Sequence, residues 1–372
     1  MNQQREEKLR KIALNFLKGM TPELLKTLQE SGRDYTGLFL SGGPLQKELF
    51  SILKIDKGDV DNALRRAGEE LDFMERHSIQ MVFVLDDEYP RTLYEISNPP
   101  ICLFYLGNPG FGNKYSVSMV GTRKCTQSGL QFCSKFIKEA SGMFPDLSIV
   151  SGLAFGIDGA SHRAALDSGC HTVGVVAHGL DMIYPAQHRN LAKEIIAKGG
   201  AIITEYPTGT RPYKGRFLER NRIVACIAGA VIVVESAVRG GAMSTANTAF
   251  SYSREVFAVP GRPTDEVSQG CNLLIMKNKA RLTAGASDFI KEMGWKPQRA
   301  EGGVVTQELF PELEGDSRVV YEYLRNQRKA CSTDSIRLAT SLSISKILSV
   351  LGELEFDGIV VRVPGNRYEA IG

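Results

Sequence analysis

The sequence predicts an α/β fold with a Rossmann-like, doubly wound and mostly parallel sheet, an N-terminal helical domain and a C-terminal winged-helix domain. Beyond Tyr115, short runs rich in valine and isoleucine alternate with amphipathic stretches, which is typical of parallel strands buried on both faces. The two ends of the chain instead carry helical spacing. At 372 residues the chain exceeds what one hydrophobic core usually supports, so several domains are expected.

Residues 1–75 predict a helical domain. Apolar residues recur at helical spacing between Leu9 and Leu17, and Thr21-Pro22 is a typical helix start. The stretch "LKGMTPELLKTLQESG" resembles a SAM-like or helix-hairpin-helix element, whose glycine turn and helix N-terminus contact a DNA backbone. A domain that only packs against the rest of the protein is the alternative, and both interpretations stay open.

Residues 76–298 predict the Rossmann-like domain. Its six predicted strands lie in the runs "YSVSMVG", "LSIVSG", "HTVGVVA", "GAIITEY", "GAVIVVES" and "EVFAVPG". Ligands of such sheets bind at the carboxyl ends of the strands, where loops and helix N-termini meet. We therefore expect the functional residues directly after the strands.

Three strand ends carry residues that suit a phosphate group. Gly121-Thr122-Arg123 follows the first predicted strand, and the glycine-rich loop 151–159 follows the second. Glu235-Ser236 and then the small residues 239–246 follow the fifth predicted strand. Glycine lets the backbone approach a ligand closely, and both an arginine and free helix N–H groups bind oxyanions. The candidate residues in the second and third loops are Ser151, Gly152, Gly156, Gly241 and Ser244.

The stretch "RPYKGRFLERNR", residues 211–222, is the densest basic cluster of the chain. Five cations alternate there with two aromatic residues, and the stretch contains a single glutamate. The cations are Arg211, Lys214, Arg216, Arg220 and Arg222. Cations neutralise backbone phosphates and aromatic rings stack on unpaired bases, so this mixture favours single-stranded nucleic acid. A solvated, charged helix face is the alternative.

The glycine-rich loop does not fit two common enzyme motifs. Its spacing is G-x-x-x-G-x-x-G after the second strand, whereas a dinucleotide fingerprint needs G-x-G-x-x-G, and no Walker sequence is present. A serine hydrolase elbow needs glycines at positions 149 and 153, which are isoleucine and leucine. We expect Asp158 to be a helix cap and His162 to lie on the helix surface or beside a phosphate, with no catalytic residues.

The C-terminal region begins with a polar linker, residues 299–316, that contains glycine and proline. Residues 317–372 give three helical stretches and then two short strands about Pro364-Gly365-Asn366, which predicts a winged helix. Its third helix, near residues 343–354, carries one lysine beside several carboxylates. Contact with a protein and contact with duplex DNA therefore both stay open.

Composition narrows the class of protein. The net charge is +3, and the seven cysteines are scattered with no C-x-x-C pair, which argues against a disulfide framework and a zinc site. The first residues lack the pattern of a signal peptide, and no apolar run approaches the ~20 residues of a membrane span. We expect a cytoplasmic protein that needs no metal or cofactor and has no membrane partner.

The motifs together resemble the bacterial DNA processing protein A family, also called DprA or Smf. The matching stretches include "VGTRKCTQSG" (120–129), "VSGLAFGIDGASHRAAL" (150–166), "GLDMIYPAQHRNL" (179–191), "TEYPTGTRP" (204–212) and "VVESAVRGGAMSTANTA" (233–249). The resemblance is strong over about residues 80–295. It implies single-stranded DNA binding in the Rossmann-like domain, loading of RecA recombinase in natural transformation or recombination, and a homodimer formed through that domain.

The resemblance also implies particular DNA contacts. Gly121-Thr122-Arg123 matches the family's phosphate-binding element, and the 151–159 loop offers N–H groups to a neighbouring phosphate. Further expected contacts are Lys214, Arg220, Asn221 and Arg222. This chain departs from some relatives in having Ala186-Gln187, and no basic residue, after Tyr184-Pro185.

A nucleotide-processing enzyme of the phosphoribohydrolase type is the rival hypothesis, because related Rossmann-like folds include such enzymes. Their signature is P-G-G-x-G-T-x-x-E, whereas this chain has "RGGAMSTANTA" without the glutamate. Glu205 and Glu235 are the possible substitutes. We expect them instead to be buried or capping carboxylates at strand ends.

Overall fold

The computed structural model describes residues 3–39, 43–297, 313, 315–327, 330–356, 359–363 and 367–370. The chain divides into two units, Met1–Gln298 and Arg299–Gly372, which are described in turn. The predicted linker, residues 299–316, lies outside the described residues except for 313, 315 and 316. The domain boundary predicted near residue 76 stays a prediction.

The first unit opens with helices, as the apolar spacing predicts. They are α1 (Gln3–Phe16), α2 (Pro22–Glu30), a 3₁₀ turn (Tyr35–Phe39), α3 (Pro44–Leu53) and α4 (Lys57–His77). Thr21 caps α2 by accepting a hydrogen bond from the Leu24 N–H, and Asp56 and Asp59 form a capping box at the start of α4. Buried apolar residues of α1 and α4, among them Leu14 and Leu71, share one core with the adjacent sheet.

Nine strands form the sheet of this unit within its described residues. They are β1 (Gln80–Phe83), β2 (Cys102–Gly107), β3 (Tyr115–Val120), β4 (Leu147–Ser151), β5 (His171–Val175), β6 (Ala201–Thr204), β7 (Ala230–Val233), β8 (Glu255–Ala258) and β9 (Arg281–Leu282). Their order is β1-β2-β6-β5-β4-β3-β7-β8-β9. Strands β3 to β9 pair in parallel, whereas β1 and β2 join antiparallel at one side. The six predicted strands are confirmed, and β1, β2 and β9 were not predicted.

Helices cover both faces of the sheet, which confirms the doubly wound prediction. They are α5 (Arg91–Tyr94), α6 (Gln127–Met143), α7 (Ile157–Asp167), a 3₁₀ turn (Ala186–His188), α8 (Arg189–Ala197), α9 (Lys214–Ile227), α10 (Gly241–Ser251), α11 (Glu266–Met276) and α12 (Ala286–Glu292). Val117 and Met119 of β3 pack with residues of α6 and α12. Val120 points to the other face, where its core includes Ile223 of α9 and Ala246 of α10.

The strand order reverses between β3 and β7. The chain leaves β3 toward β4 on one side, and it leaves β7 toward β8 on the other side, although the two strands are neighbours. The loops after these strands therefore diverge and leave a crevice outside their carboxyl ends. Open α/β sheets bind their ligands at such a switch point.

The second unit has the winged-helix elements that the sequence predicts. They are α13 (Gly315–Gln327), β10 (Cys331–Ser332), α14 (Thr333–Thr340), α15 (Ile344–Phe356), β11 (Val360–Val363) and β12 (Arg367–Ala370). Strands β11 and β12 pair antiparallel, with β10 on the other side of β12. One core holds the three helices together, with buried Leu324 from α13, Ile336 from α14 and Leu351 from α15. The predicted turn at residues 364–366 lies outside the described residues.

None of the seven cysteines, all of which lie in the described part of the chain, forms a disulfide bond, and all except Cys125 are buried. Burial raises the pKa of Cys133 and of Cys170 to about 12 in each case, so these thiols stay protonated at neutral pH. Within the described residues, no group of three or more histidine, cysteine, aspartate or glutamate side chains has a metal-binding arrangement. No described helix is both long enough and apolar enough to cross a bilayer.

Candidate nucleic-acid interface

A cleft of about 700 Å³ lies at the switch point, over the carboxyl ends of β3, β4 and β7. We call it the first cleft. It brings together many of the residues predicted from sequence. Those that line it are Gly121, Thr122, Arg123, Gly152, Lys214, Arg220, Asn221 and Gly241.

The Gly-Thr-Arg loop forms one wall of the first cleft. The Thr122 N–H donates to the Glu235 carbonyl at 2.8 Å, so the loop after β3 is tied to the end of β7. The side chain of Arg123 is exposed, and its guanidinium lies 5.4 Å from the centre of the Phe217 ring. Arg123 forms no ion pair with any residue that the structure describes, so its charge is available to an anion.

Helix α9 forms the opposite wall with one of its faces. Five residues of α9 line the first cleft: Lys214, Phe217, Leu218, Asn221 and Val224. Counted from Lys214, the other four lie three, four, seven and ten positions further on, which is the spacing of a single helix face. Lys214 is exposed and has no ionic partner among the described residues. Leu218 was not predicted from the sequence, although helical spacing from Lys214 identifies it.

Aromatic rings accompany these cations. The ring centres of Tyr184 and Phe217 are 5.8 Å apart, and Tyr213 also lines the first cleft. About half of the Tyr213 side chain and 43% of Tyr184 are exposed. Flat rings beside unpaired cations are the two components that bind a base and its phosphate.

Arg220 lies in the floor of the first cleft and is only 4% exposed. Its Nη1 donates to the carbonyl oxygens of Gly152, at 2.8 Å, and of Val175. Buried Asp158 lies nearby, and burial raises the pKa of Asp158 and lowers that of Arg220, while each charge opposes the shift of the other. Arg220 was predicted as a flanking phosphate contact, but its hydrogen bonds hold the loop after β4 to the sheet.

Arg222 was predicted to contact DNA beside Arg220, and the structure places it elsewhere. Two residues advance a helix by about 200°, so the two arginines leave α9 on opposite faces. The Arg222 guanidinium forms a bidentate ion pair with Glu205 at 3.0 and 2.6 Å. Burial raises the pKa of Glu205, and the charge of Arg222 opposes that shift.

Ser151 is fully buried, and its hydroxyl donates to the Met119 carbonyl at 2.6 Å. The predicted phosphate contact is therefore not available to this side chain, which instead links β4 to the end of β3. At Gly152, an added Cβ would lie 2.6 Å from the Asp158 carboxylate and 2.7 Å from the Arg220 guanidinium. The absence of a side chain at position 152 leaves room for both charged groups.

Gly156 does not line the first cleft but makes a close contact behind it. Its φ is +76°, and a Cβ would lie 2.2 Å from the Thr122 carbonyl oxygen. The N–H groups expected to form a phosphate cradle are partly used within the protein. Ile157 donates to Thr122, and Gly159 donates to Ala154, so the loop supports the Gly-Thr-Arg element.

Two expectations for α7 are wrong. Asp158 does not cap the helix, since Gly156 is the N-cap residue and Asp158 instead accepts a bond from the Ala154 N–H at 3.4 Å. His162 is fully buried and not on the helix surface. Its Nδ1 donates at 2.7 Å to the Thr172 hydroxyl, which itself donates to the Ile149 carbonyl.

Helix α10 begins at the first cleft with Gly241 and contributes Ala242 and Thr245 to the lining. Ser244, the residue predicted from sequence, is half-buried outside that lining. Ser244 directly precedes Thr245, and successive residues of a helix differ by about 100° of rotation about its axis. The Ser244 side chain therefore lies on a different face of α10 from that of Thr245.

Both carboxylates of the rival enzyme hypothesis are engaged within the protein. Glu235 is 7% exposed and accepts hydrogen bonds from the Thr126 N–H, at 2.9 Å, and from the Thr126 hydroxyl. Glu205 is paired with Arg222. Neither lines the first cleft. Glu235 is the buried strand-end carboxylate that was expected, whereas Glu205 is half-buried and is held by its ion pair.

Two family models match this chain. "DNA recombination-mediator protein A" matches residues 80–294, which contain the whole first cleft. "DprA winged helix domain" matches residues 307–366. The chain belongs to the DNA recombination-mediator protein A family. The resemblance drawn from the sequence motifs is thereby confirmed.

Relatives in this family span most of the chain. The Smf protein of Synechocystis is 32% identical over 96% of this chain and 97% of its own length. The solved structure of DNA processing protein A from Streptococcus pneumoniae is similar with a TM-score of 0.54 and 32% identity, over 73% of this chain and 98% of that one. The Helicobacter pylori protein, described for its single-stranded DNA binding mode, gives 0.52 and 28% over 58% and 95%.

Proposed function

We propose that the chain binds single-stranded DNA in the first cleft and acts as a recombination mediator, without catalysing a reaction on the DNA. One observation carries the proposal. Two cations without ionic partners among the described residues, Arg123 and Lys214, lie on opposite walls of a cleft that is also lined by half-buried Phe217 and by the exposed rings of Tyr184 and Tyr213. The cations suit phosphates and the rings suit unpaired bases.

Binding of this kind is largely independent of base sequence, because phosphates and ring faces occur in every nucleotide. We expect the double variant Arg123→Ala with Lys214→Ala to weaken binding to oligonucleotides of different sequence about equally. The slope of log affinity against log salt should fall by about 1.4, since each phosphate contact contributes about 0.7 for a single strand.

The matched control removes two exposed lysines of the same charge, Lys138 on α6 and Lys291 on α12, which do not line the cleft. It should bind as the wild type does in fluorescence-anisotropy titrations. Loss of binding confined to one base sequence, or an equal loss in the control, would contradict the proposal.

We further propose that the protein acts in the cytoplasm as a homodimer formed through the Rossmann-like domain, and that it passes bound DNA to RecA. The seven described cysteines, mostly buried and none of them in a disulfide bond, agree with a reducing compartment. Sedimentation equilibrium tests the dimer. Faster RecA filament formation on an oligonucleotide with wild-type protein, and no acceleration with the double variant, tests the transfer.

The absence of catalysis is tested by the rival reaction. Release of free base from a nucleoside monophosphate, abolished in Glu235→Gln, would support a phosphoribohydrolase. We expect no release by either protein, because Glu235 already accepts two hydrogen bonds at the start of α6.

A further inference from the structure

A second cleft, of about 780 Å³, lies on the other side of the Gly-Thr-Arg loop. It is formed by the residues after β3, the first part of α6, the loop before α7, and α7 itself. Arg123 lines both this second cleft and the first one. The two clefts are therefore neighbours that share one exposed cation.

The second cleft has the same charge character as the first. Arg123, Lys124 and Arg163 are exposed on its walls, and none of them forms an ion pair with another described residue. Asp167 is the carboxylate on its rim. Three cations against one carboxylate favour an anionic ligand in this cleft.

The second cleft also has a fixed aromatic ring. Phe155 is 42% exposed, although it is apolar, and its ring meets that of His188 edge-on at a centre-to-centre distance of 5.0 Å. His188 is itself held in place, because its Nδ1 donates to the Leu153 carbonyl at 2.9 Å. An exposed ring with a fixed orientation is a stacking surface formed in advance of a ligand.

We propose that the second cleft binds a further nucleotide of the same single strand, with its base on Phe155 and its phosphate on Arg163. This inference rests on the proposed function of the first cleft. A strand whose phosphate meets Arg123 can continue into either cleft, since that side chain lies in both linings. The second cleft thus lengthens the binding site and adds affinity only for longer strands.

A length series tests this placement. Wild-type protein, Phe155→Ala, Arg163→Ala and the control Lys138→Ala are titrated with labelled oligo-dT from the shortest strand that binds to strands several nucleotides longer. We expect the first two variants to bind the shortest strand as the wild type does and to lose roughly tenfold in affinity for the longer ones. For long strands, Arg163→Ala should also lower the salt slope by about 0.7. Equal binding by all four proteins at every length would overturn the proposal.

A spectroscopic variant reports contact at the ring directly. In Phe155→Trp, stacking of a base should quench the new tryptophan, with the single natural Trp295 of the parent protein as background. We expect quenching by long strands and none by the shortest strand. Absence of quenching at saturating long oligonucleotide would overturn the proposal.

The two proposals fail in different ways. If Arg123→Ala weakens binding while the Phe155 and Arg163 variants behave as the wild type at all lengths, the second cleft is refuted and the first stands. If the wild type binds no oligonucleotide, the proposed function fails and the second cleft with it. Thermal melting of each variant shows whether it is folded, and the exposure of Phe155 and Arg163 leads us to expect unchanged melting.

Discussion

Two buried residues of opposite charge, Arg220 and Asp158, line the floor of the first cleft. Removing Arg220 leaves the buried Asp158 carboxylate without its neighbouring cation and frees two buried carbonyl oxygens, and the loss of one of two opposite buried charges costs about 3–5 kcal/mol in proteins. We expect Arg220→Ala to lower the free energy of unfolding by that amount in urea, whereas Lys214→Ala, at an exposed position, should change it by less than about 0.5 kcal/mol. Equal stability of the two variants would show that Arg220 has no structural role.

His162 makes the stability of the first unit depend on pH. Burial, with the nearby charges of His188 and Arg220, lowers the pKa of His162 to about 3. Because the folded pKa lies below the unfolded one, the stability due to His162 is complete above pH ~6.5 and declines as the pH falls toward 3, by up to about 1.4 kcal/mol per pH unit.

The variant His162→Asn can still donate to Thr172 but does not titrate. We therefore expect the wild type to lose about 2 kcal/mol more than this variant between pH 7 and pH 5. Urea unfolding at both pH values measures the difference. An equal loss in the two proteins would mean that His162 becomes protonated in the folded state.

At the residue scale, the sequence predicted the basic cluster 211–222 but not which of its cations are free. Arg222 pairs with Glu205, whereas Arg220, the same type of residue two positions earlier, lies near Asp158. Glu205 lies in the loop after β6, and Asp158 lies in the first turn of α7. Their positions depend on the packing of the sheet, which no local pattern reports.

At the scale of secondary-structure elements, α4 contacts the loop after β6. Glu70 of α4 is 5% exposed and accepts hydrogen bonds from the Thr208 N–H, at 2.9 Å, and from the Thr208 hydroxyl, at 2.5 Å. That loop leads directly into α9 and Lys214. The N-terminal helices therefore help to position one wall of the first cleft.

The Glu70 contact gives a prediction for DNA affinity. Thr208→Val leaves a buried carboxylate short of a donor, at a cost of about 1–3 kcal/mol in unfolding free energy. We expect a several-fold loss of oligonucleotide affinity as well, because the start of α9 is less firmly held. Thr210→Val, two residues away in the same loop, is the control, and anisotropy titration compares them. Unchanged affinity in Thr208→Val would show that the loop is positioned without Glu70.

Secondary-structure elements were predicted correctly where burial on both faces determines the sequence pattern. The strands β3 to β8 are short, mostly apolar runs, since they are buried on both faces. The strands β1 and β2 escaped prediction because they lie at one side of the sheet, and β2 pairs antiparallel with β6, which is far away in sequence. The two residues of β9 are too few to form a pattern.

At the scale of the whole molecule, the charges of the winged-helix unit give little support for a DNA partner. The one lysine of α15, Lys346, lies 3.6 Å from Asp316, and Leu338, Ile344 and Leu348 are exposed. These features favour a protein partner over a DNA groove. We expect Lys346→Ala to leave affinity for duplex DNA unchanged in anisotropy titrations. A weaker affinity would instead indicate that α15 contacts the duplex.

The most direct test of the central claim, that the first cleft binds single-stranded DNA, compares labelled oligo-dT with a duplex of the same length at two salt concentrations. Wild type and Arg123→Ala are titrated side by side by fluorescence anisotropy. We predict tight, salt-sensitive binding that prefers the single strand in the wild type and weakens in the variant. No preference for the single strand, or equal binding by the two proteins, would contradict the claim.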